Sequence, residues 1–236
     1  MKISMGSELK HIIMSLNEML DGNIVLECKK SGLYCKMADD ATVCLLEVFI
    51  SKDLMSEYTV SQGEIVGVDI NLLNKIMKTI KFDKIDLETI NNTTLKIVSE
   101  GQRKCEFELP LVDVVNEEMD IPDIDYDCNF TMETNAFQGV CKDLKQFGEE
   151  VVLKVSDKVL FTTKDEIECK IEVNAEIENE DNIVIEKKYD LKYFLKMLKG
   201  LTLTNEVFFY VSKNMPLVIE YKMDESYIRY YLGNMV

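Results

Sequence analysis

Short segments of alternating apolar and polar residues dominate this chain, and such alternation is typical of strands with one solvated face. In the first half these segments are 23–29, 32–38, 43–50, 58–67, 84–89, 94–99 and 104–109. The second half repeats the pattern from Tyr126 and ends with segments 206–211, 217–223 and 227–232. We therefore expect a protein rich in antiparallel sheet.

Four windows, 7–20, 71–81, 134–147 and 190–200, place apolar residues at helical spacing instead. The predicted buried stripes are Leu9, Ile12, Ile13, Leu16 and Leu20; Leu72, Ile76 and Ile80; Phe137, Val140, Cys141 and Leu144; and Leu191, Phe194, Leu195 and Leu198. Asp190 stands where a helix N-cap belongs. The pattern predicts four helices.

The order of helices and strands occurs twice, which indicates an internal duplication of about 120 residues. Lys75 and Lys78, for example, recur as Lys196 and Lys199 at a spacing of 121. The sequence predicts an α+β fold of two similar domains, each with antiparallel sheets and two helices. We assign 1–110 to the first domain, 111–126 to an extended connector and 127–236 to the second domain.

Charge is distributed unevenly between the helices and the rest of the chain. The net charge is -16, from 27 Lys+Arg and 43 Asp+Glu, yet the four helical windows together carry +5. Because the Debye length is ~8 Å at physiological salt, a polyanion at these helices would be attracted by their lysines and little affected by distant acids. If the helices gather on one surface, we expect sequence-independent binding of DNA through phosphates. The predicted DNA-binding residues are Lys10, His11, Lys75, Lys78, Lys81, Lys142, Lys145, Lys192, Lys196 and Lys199. The alternative for any single helix is an ordinary solvated face.

Motifs for catalysis are scarce in this sequence. His11 is the single histidine, there is no zinc-ligand spacing, and neither phosphate-binding glycine pattern occurs. The segment 123–134 opens like a calcium loop, but Cys128 stands where the glycine belongs and Thr134 where the bidentate glutamate belongs. We expect no enzyme activity, no metal and no cofactor. Seven scattered cysteines and no signal or membrane-spanning stretch predict a soluble intracellular protein with free thiols.

Several longer motifs resemble one known family. They are Met-Pro-Leu-Val-Ile-Glu-Tyr-Lys at 215–222 with Tyr-Tyr-Leu at 230–232, Ile-Pro at 121–122 followed by Tyr126, the helix 137–148, the segment 67–78 and the region 32–43. Together they resemble the proliferating cell nuclear antigen family, the sliding clamps of eukaryotes and archaea. The resemblance spans essentially the whole chain.

That resemblance implies a homotrimeric ring of six similar domains with duplex DNA passing through the hole. Its implied partners are DNA polymerase, clamp loader, flap nuclease and ligase, which dock through short hydrophobic peptide motifs. The implied peptide pocket comprises Val43, Leu45, Met119, Ile121, Pro122, Pro216, Tyr231 and Leu232. We expect a nuclear protein in a eukaryote and a cytoplasmic one otherwise, with no membrane partner.

Ring closure requires a head-to-tail interface between copies. The candidate edge strands are 104–109, with Cys105, Phe107 and Leu109 on one face, and 168–173, with Cys169, Ile171 and Val173 on one face. Pairing them would bury two edges that otherwise favour aggregation. The alternative is that both are internal strands.

Three departures from the family pattern bear on function. Asn17 stands where the family usually has a lysine, Gly139 where many relatives have an arginine, and Gly233-Asn234 where Ala-Pro is usual. The competing hypotheses are a subunit of a heterotrimeric clamp, of the checkpoint type or in a mixed ring, and a monomeric peptide-binding scaffold. A nucleic-acid enzyme such as a nuclease would require a carboxylate cluster for metal ions.

Overall fold

The structure of the chain is a computed structural model that describes residues 1–61, 63–81, 84–114, 125–179 and 183–235. These residues form two compact units. The first unit takes 1–42, 46–114 and 223–228, and the second takes 43–45, 125–222 and 229–235. Most of the predicted connector lies outside the described residues, so its extent stays a prediction.

The first unit contains two α-helices that pack against each other, α1 (Glu8–Met19) and α2 (Ile70–Thr79). Its strands are β1 (Lys2–Met5), β2 (Asn23–Lys29), β3 (Gly32–Ala38), most of β4 (Cys44–Ser51), β5 (Met55–Thr59), β6 (Glu64–Asp69), β7 (Ile85–Ile90), β8 (Thr94–Glu100) and β9 (Lys104–Pro110). The short strand β1 is absent from the sequence prediction because four residues give too little alternation to be recognised.

An antiparallel sheet of order β5-β1-β7-β8-β9 forms one side of this unit. Ile97 of β8 lies opposite Phe107 of β9, and the inward residues of β8 are fully buried. In a second sheet, β6, β2, β3 and β4 are neighbours in that order. The apolar face of α1, which includes Ile12 and Leu16, is buried as predicted.

The second unit again contains two α-helices, α3 (Thr134–Leu144) and α4 (Leu191–Met197). Its strands are β10 (Cys128–Glu133), β11 (Glu150–Val155), β12 (Val159–Lys164), β13 (Glu168–Val173), β14 (Glu176–Glu178), β15 (Ile185–Asp190), β16 (Glu206–Val211), β17 (Leu217–Met223) and most of β18 (Ser226–Leu232). One antiparallel sheet has the order β13-β12-β11-β15, and β14, β10, β16, β17 and β18 are neighbours in a second sheet.

Five phenylalanines fill the core of the second unit. Phe209 stacks on Phe130 at 4.4 Å between ring centroids and meets the rings of Phe137 and Phe161 edge-on. Phe194 of α4 packs against Phe137 of α3 at 6.0 Å. All five side chains are at most 1% exposed. This cluster joins both helices to the strands beneath them.

The two units have the same side-chain N-cap at the predicted spacing of 121 residues. Asp69 caps α2 by accepting a hydrogen bond from the backbone N–H of Leu72 at 3.0 Å, and Asp190 caps α4 by accepting one from that of Lys192 at 2.9 Å. A side-chain oxygen at this position satisfies an N–H that has no partner inside the helix. The N-cap at Asp190 is confirmed, as is the α+β class with antiparallel sheets and two helices in each domain.

One predicted strand, 58–67, is wrong. The structure has β5 ending at Thr59 and β6 beginning at Glu64. Gly63 adopts a positive φ of 76° in the turn between them, and its N–H donates to the Cys28 carbonyl at 3.1 Å. This left-handed conformation favours glycine and ends the extended chain.

The predicted apolar stripe of α2 is confirmed only in part. Ile80 is buried as predicted, but Leu72 is 47% exposed, whereas Leu73 and Met77, which were not predicted, are at most 1% exposed. The sequence contains adjacent apolar pairs in this helix, so two stripes one residue apart were both compatible with helical spacing. Leu72 therefore lies on the solvent face.

The last predicted helix, 190–200, is shorter than expected. The α-helix ends at Met197, and a 3-10 helix continues from Leu198 to Thr202. Gly200 approaches the ring of Tyr221 so closely that an added Cβ would lie 2.6 Å from two ring carbons. Tyr193 and Met197 are buried, and the predicted Leu195 and Leu198 are only partly so.

Candidate functional site

The exposed face of α2 carries two cations. Lys75 and Lys78 are exposed, on the side away from the buried Leu73 and Met77, and Lys81 is exposed just after the helix. Lys75 and Lys78 have no acidic partner among the described residues. Since α2 contains no acid, both ammonium groups can meet an external anion without first breaking an ion pair.

The lysine of α1 forms a hydrogen bond within the first unit. The Lys10 ammonium donates to the Ile80 carbonyl at 3.0 Å, at the end of α2, and the Lys10 side chain is half-buried. His11 is likewise partly exposed on this helix. Of the two, Lys10 ties α1 to α2, which satisfies one of the carbonyls left open at a helix end.

Asn17 belongs to a polar cluster between α1 and α2. Its Nδ2 donates to Asn71 Oδ1 at 2.8 Å, and its Oδ1 accepts from the Asn74 amide. Asn71 in turn donates to Asp21, and this bond, with the backbone N–H of Gly22, holds the pKa of the Asp21 carboxyl below its usual value. Asn17 therefore acts in helix packing. This cluster was not predictable from the sequence, since asparagine carries no periodic signal.

In the second unit, α3 presents a cation comparable to those of α2. Lys142 and Lys145 are both exposed. Lys145 pairs with Glu149 at 3.7 Å, whereas Lys142 has no acidic partner within the described ranges. Gly139 lies one turn before Lys142, and a Cβ built at Gly139 would meet nothing within 4 Å. The space for a larger side chain at this position is open.

The lysines of α4 are more constrained than their spacing suggested. Lys192 pairs with the capping Asp190 at 2.8 Å and lies 5.1 Å from the ring centroid of Tyr193. Lys196 lies 6.0 Å from the same ring, and Lys199 stands in the 3-10 helix. The predicted single stripe of three lysines on one α-helix is therefore not present.

Part of the predicted peptide pocket belongs to the second unit. Val43 is 39% exposed, and Leu45, Pro216 and Tyr231 are partly exposed. Leu232 is fully buried, so a ligand could contact it only if the core rearranged. Met119, Ile121 and Pro122 lie outside the described residues.

Hydrogen bonds to backbone carbonyls fix the segments next to these residues. The Gly233 N–H donates to the Val43 carbonyl at 2.9 Å, and the Met235 N–H donates to the Lys188 carbonyl at 2.8 Å. The Lys187 ammonium donates to the Met215 carbonyl at 2.8 Å, and burial lowers its pKa. The turn before Pro216 and the segment after Leu232 are thus fixed to their neighbours.

Both candidate interface strands are edge strands within the part of the chain that the structure describes. β9 ends the sheet β5-β1-β7-β8-β9, and β13 ends the sheet β13-β12-β11-β15. Leu109 is 3% exposed, and the other predicted interface side chains are partly exposed: Cys105, Phe107, Cys169, Ile171 and Val173. The prediction of two open edges is confirmed, while pairing between copies stays a prediction.

The described residues contain no group of three or more His, Cys, Asp or Glu side chains placed to hold a metal ion. Their helices include none that is both long enough and apolar enough to cross a bilayer.

Comparison with known proteins gives the same assignment over both units. The family model described as "Proliferating cell nuclear antigen, N-terminal domain" matches residues 1–127, and that described as "Proliferating cell nuclear antigen, C-terminal domain" matches residues 120–235. Proliferating cell nuclear antigen 2 of Drosophila melanogaster is 25% identical over 247 residues, covering 100% of this chain and 96% of the relative. Proliferating cell nuclear antigen of Chaetomium thermophilum is 25% identical over 250 residues, covering 98% and 96%. The chain therefore belongs to the proliferating cell nuclear antigen family.

Proposed function

We propose that three copies of this chain form a closed ring that encircles duplex DNA and slides along it. Family membership supports a DNA sliding clamp and a role in DNA replication and repair. In this proposal the ring tethers DNA polymerase and other partners, a separate clamp loader opens it, and the chain itself carries out no reaction. If the source is eukaryotic, the protein acts in the nucleus.

One observation carries this proposal: both units present exposed helical lysines that have no acidic partner among the described residues. Lys75 and Lys78 provide them in the first unit, and Lys142 provides one in the second. In a chain of net charge -16, α2 contains two lysines and no acid, so its exposed face is locally positive. Phosphate contacts alone confer affinity without sequence preference, which is what a sliding protein requires.

The proposed DNA-binding residues can be ranked by how exposed their side chains are and by whether they already have a partner within the protein. We place Lys75, Lys78 and Lys142 first, because their ammonium groups are exposed and uncommitted. Lys81 is exposed beside them in sequence, and Lys145, Lys192, Lys196 and Lys199 follow. Lys10 and His11 contribute least, since Lys10 already donates to the Ile80 carbonyl.

We further propose that the partly exposed Val43, Leu45, Pro216 and Tyr231, with Met119, Ile121 and Pro122, bind short hydrophobic peptide motifs of polymerase, clamp loader, flap nuclease and ligase. Apolar and aromatic side chains that remain partly exposed suit an apolar plug. The boundaries 1–110, 111–126 and 127–236 enter this proposal as two clamp domains and their connector. Leu232 supports the pocket from the core.

A light-scattering mass across a dilution series tests assembly. We expect a mass near three times 27.2 kDa in near-physiological salt. A mass near 27.2 kDa at every concentration would contradict the homotrimer and would favour either missing sister subunits or a monomeric scaffold. A mixed ring with divergent copies would give the full mass only after those copies are added.

Gly139 offers a test of the lysine surface of α3. Gly139→Ala should raise the free energy of unfolding by about 0.5–1 kcal/mol, because glycine inside a helix costs that much relative to alanine and the site is open. Gly139→Arg should stabilise the helix similarly and also raise affinity for duplex DNA about two- to threefold, with a steeper salt dependence. Fluorescence anisotropy and urea unfolding give the two readouts.

The matched control is Gly139→Glu, which introduces a long side chain that carries a negative charge in place of the positive charge of arginine. It should stabilise the helix and lower DNA affinity. Equal DNA affinity for the Arg and Glu variants would contradict a DNA-facing role for this side of α3.

A further inference from the structure

A row of large apolar side chains crosses one sheet face of the first unit. Tyr34 of β3 lies opposite Glu27 of β2, which in turn lies opposite Ile65 of β6. Toward the other side, the Tyr34 ring stacks on Phe49 of β4 at 4.5 Å between centroids, and Phe49 meets Tyr227 of β18 at 5.7 Å. All of these residues belong to the first unit. We call Ile65, Tyr34, Phe49 and Tyr227 the apolar row.

The apolar row lies on the solvent face of its strands. Ile65 is 44% exposed, and the three rings are half-buried. Residues that alternate with them, such as Leu33, Val48 and Ile50, are buried in the core on the opposite face. Single exposed apolar side chains are common, whereas a contiguous row of them indicates a surface for interaction.

The start of β3 is shaped to fit the Phe49 ring. Gly32 has a positive φ of 155°, and a Cβ built at Gly32 would lie only 2.9 Å from a ring carbon of Phe49. Glycine therefore leaves the space that this ring occupies. The Tyr34 hydroxyl is 3.3 Å from Ser31 Oγ, within hydrogen-bond distance. The two central rings of the row are thus held in place by the unit itself.

Both faces of the Tyr34 ring are covered. The Lys29 ammonium, from β2, lies 4.5 Å from the ring centroid, and Phe49 stacks on the ring from β4. Since β2 and β4 are the two neighbours of β3, these groups approach from opposite sides. The part of the ring that stays exposed is its edge, which carries positive partial charge. Single-stranded nucleic acid stacks its bases on open ring faces, and Tyr34 does not offer them.

Two exposed lysines at one end of the apolar row have no acidic partner among the described residues. They are Lys30, directly after β2, and Lys52, directly after β4. The Lys52 N–H donates to the Ser31 carbonyl at 2.9 Å, so both lysines lie at the same end of the sheet. Lys29, by contrast, pairs with Glu27 at 3.1 Å. Lys30 and Lys52 can therefore meet a carboxylate of a partner without first breaking an ion pair.

Acids near this end of the sheet leave its β2 side positive. Asp53 adjoins Lys52, and Asp224 and Glu225 are exposed in the turn before β18. The spacing of neighbouring strands places β18 about 14 Å from β2. Exposed charges farther apart than the Debye length of ~8 Å are largely screened, so Lys30 acts independently of Asp224 and Glu225. An anion is therefore attracted to the side of the row where Lys30 lies.

We propose that the apolar row, with Lys30 and Lys52, docks a peptide segment of a partner protein in which a pair of apolar side chains is followed by acidic residues. The apolar side chains pack on the exposed edges of Tyr34 and Phe49, and the acids reach the two lysines. Buried apolar anchors supply most of the binding energy at such surfaces, while charges at the rim give specificity and speed association.

This surface is distinct from the peptide pocket proposed above. Its residues belong to the first unit, whereas the described residues of the pocket, such as Pro216 and Tyr231, belong to the second. The inference therefore stands or falls independently of the pocket and of the ring.

A panel of short fluorescein-labelled peptides tests the proposal on the full chain. Each peptide has a pair drawn from Leu, Ile, Phe and Tyr, followed by a run of Asp and Glu, and a matched peptide has Lys in place of the acids. We expect the best acidic peptide to bind with a Kd on the order of 10–100 μM, and its lysine counterpart at least about tenfold more weakly. Fluorescence anisotropy measures both. Absence of binding by every acidic peptide would overturn the proposal.

Charge reversal locates the binding site. Lys30→Glu with Lys52→Glu should weaken the acidic peptide about tenfold, because two attractive contacts become repulsive. The matched control is Lys164→Glu with Lys213→Glu, which changes net charge equally at two exposed lysines of the second unit. It should alter peptide affinity by less than about twofold. Equal losses in both double variants would show a general charge effect and overturn the site.

Truncation of the rings tests the apolar part. Tyr34→Thr and Phe49→Thr keep β propensity and should each weaken the acidic peptide at least about fivefold. The matched control is Phe208→Thr, which removes a half-buried ring of the second unit that also has a lysine ammonium, that of Lys222, 4.1 Å from its centroid. Urea unfolding accompanies these variants, and the exposed lysine pair decides the test if a ring variant loses its fold.

Two other occupants are distinguished in the same assay. Loss of the acidic peptide in Val43→Ser, with full retention in Lys30→Glu/Lys52→Glu, would place it in the pocket and overturn the inference. A labelled single-stranded thymidine oligonucleotide should bind no more weakly to Phe49→Thr than to the wild type. Loss of that oligonucleotide in Phe49→Thr, together with no binding of acidic peptides, would assign the surface to nucleic acid instead.

Discussion

Reversal of two lysines on α2, Lys75→Glu with Lys78→Glu, should lower affinity for duplex DNA by at least about tenfold at ~0.1 M salt. Both side chains are exposed without an acidic partner among the described residues, so their charge is available to phosphate. The dependence of log K on log salt should also flatten by about two units or more, since each lost phosphate contact removes about one. Fluorescence anisotropy over a salt series measures both quantities.

The matched control changes net charge equally elsewhere in the same unit. Lys30→Glu with Lys52→Glu alters two exposed lysines that lie outside the four α-helices, Lys30 after β2 and Lys52 in the short 3-10 helix Lys52–Leu54 after β4. This control should change affinity by less than about twofold, because exposed charges beyond a Debye length are screened. Equal loss of affinity in both double variants would show a general charge effect and contradict a DNA-binding surface on α2.

Truncation of the central phenylalanine of the second unit, Phe209→Ala, should lower the free energy of unfolding by about 3–5 kcal/mol. Phe209 is fully buried and contacts Phe130, Phe137 and Phe161, so its removal leaves a cavity bordered by aromatic rings. The cluster also holds α3 and α4 on the sheets, and the variant should therefore bind DNA less well at temperatures near its lowered unfolding midpoint. Urea unfolding followed by circular dichroism provides the measurement.

The neighbouring residue serves as control, because Phe208 points to the other face of the same strand. It is half-buried, and the Lys222 ammonium lies 4.1 Å from its ring centroid. Phe208→Ala should cost only about 1 kcal/mol, from partial burial and the cation–π contact. Similar losses for both variants would contradict the placement of the core beneath only one face of β16.

The sequence predicted the elements of this fold well where pattern and length agree. The stripe of α1 and that of α3 are buried as expected, because their apolar residues fit one phase alone. In α2, adjacent apolar pairs left two phases possible, and in the structure Leu73 is buried while the next residue, Asn74, donates to Asn17 of α1. The 3-10 end of α4 follows from the contact between Gly200 and the Tyr221 ring, which is distant in sequence.

The sequence predicted which lysines belong to the candidate site. It did not predict which of their ammonium groups are already hydrogen-bonded within the protein. The sequence placed Lys10, Lys78 and Lys142 among the predicted DNA-binding residues, yet Lys10 donates to a helix-end carbonyl while the other two are uncommitted. Likewise, Leu232 belongs to the family's pocket by resemblance, although the structure buries it completely. Such differences depend on tertiary neighbours, which neither composition nor periodicity encodes.

Encirclement of DNA is the central claim, and topological trapping tests it most directly. The protein is incubated with linear duplex biotinylated at both ends, both ends are then blocked with streptavidin, and the complex is washed in high salt. We expect retention through the wash and release when a restriction enzyme cuts the duplex, because a closed ring is held by topology while ionic contacts are screened. Complete loss during the wash, with or without blocked ends, would contradict a ring around DNA.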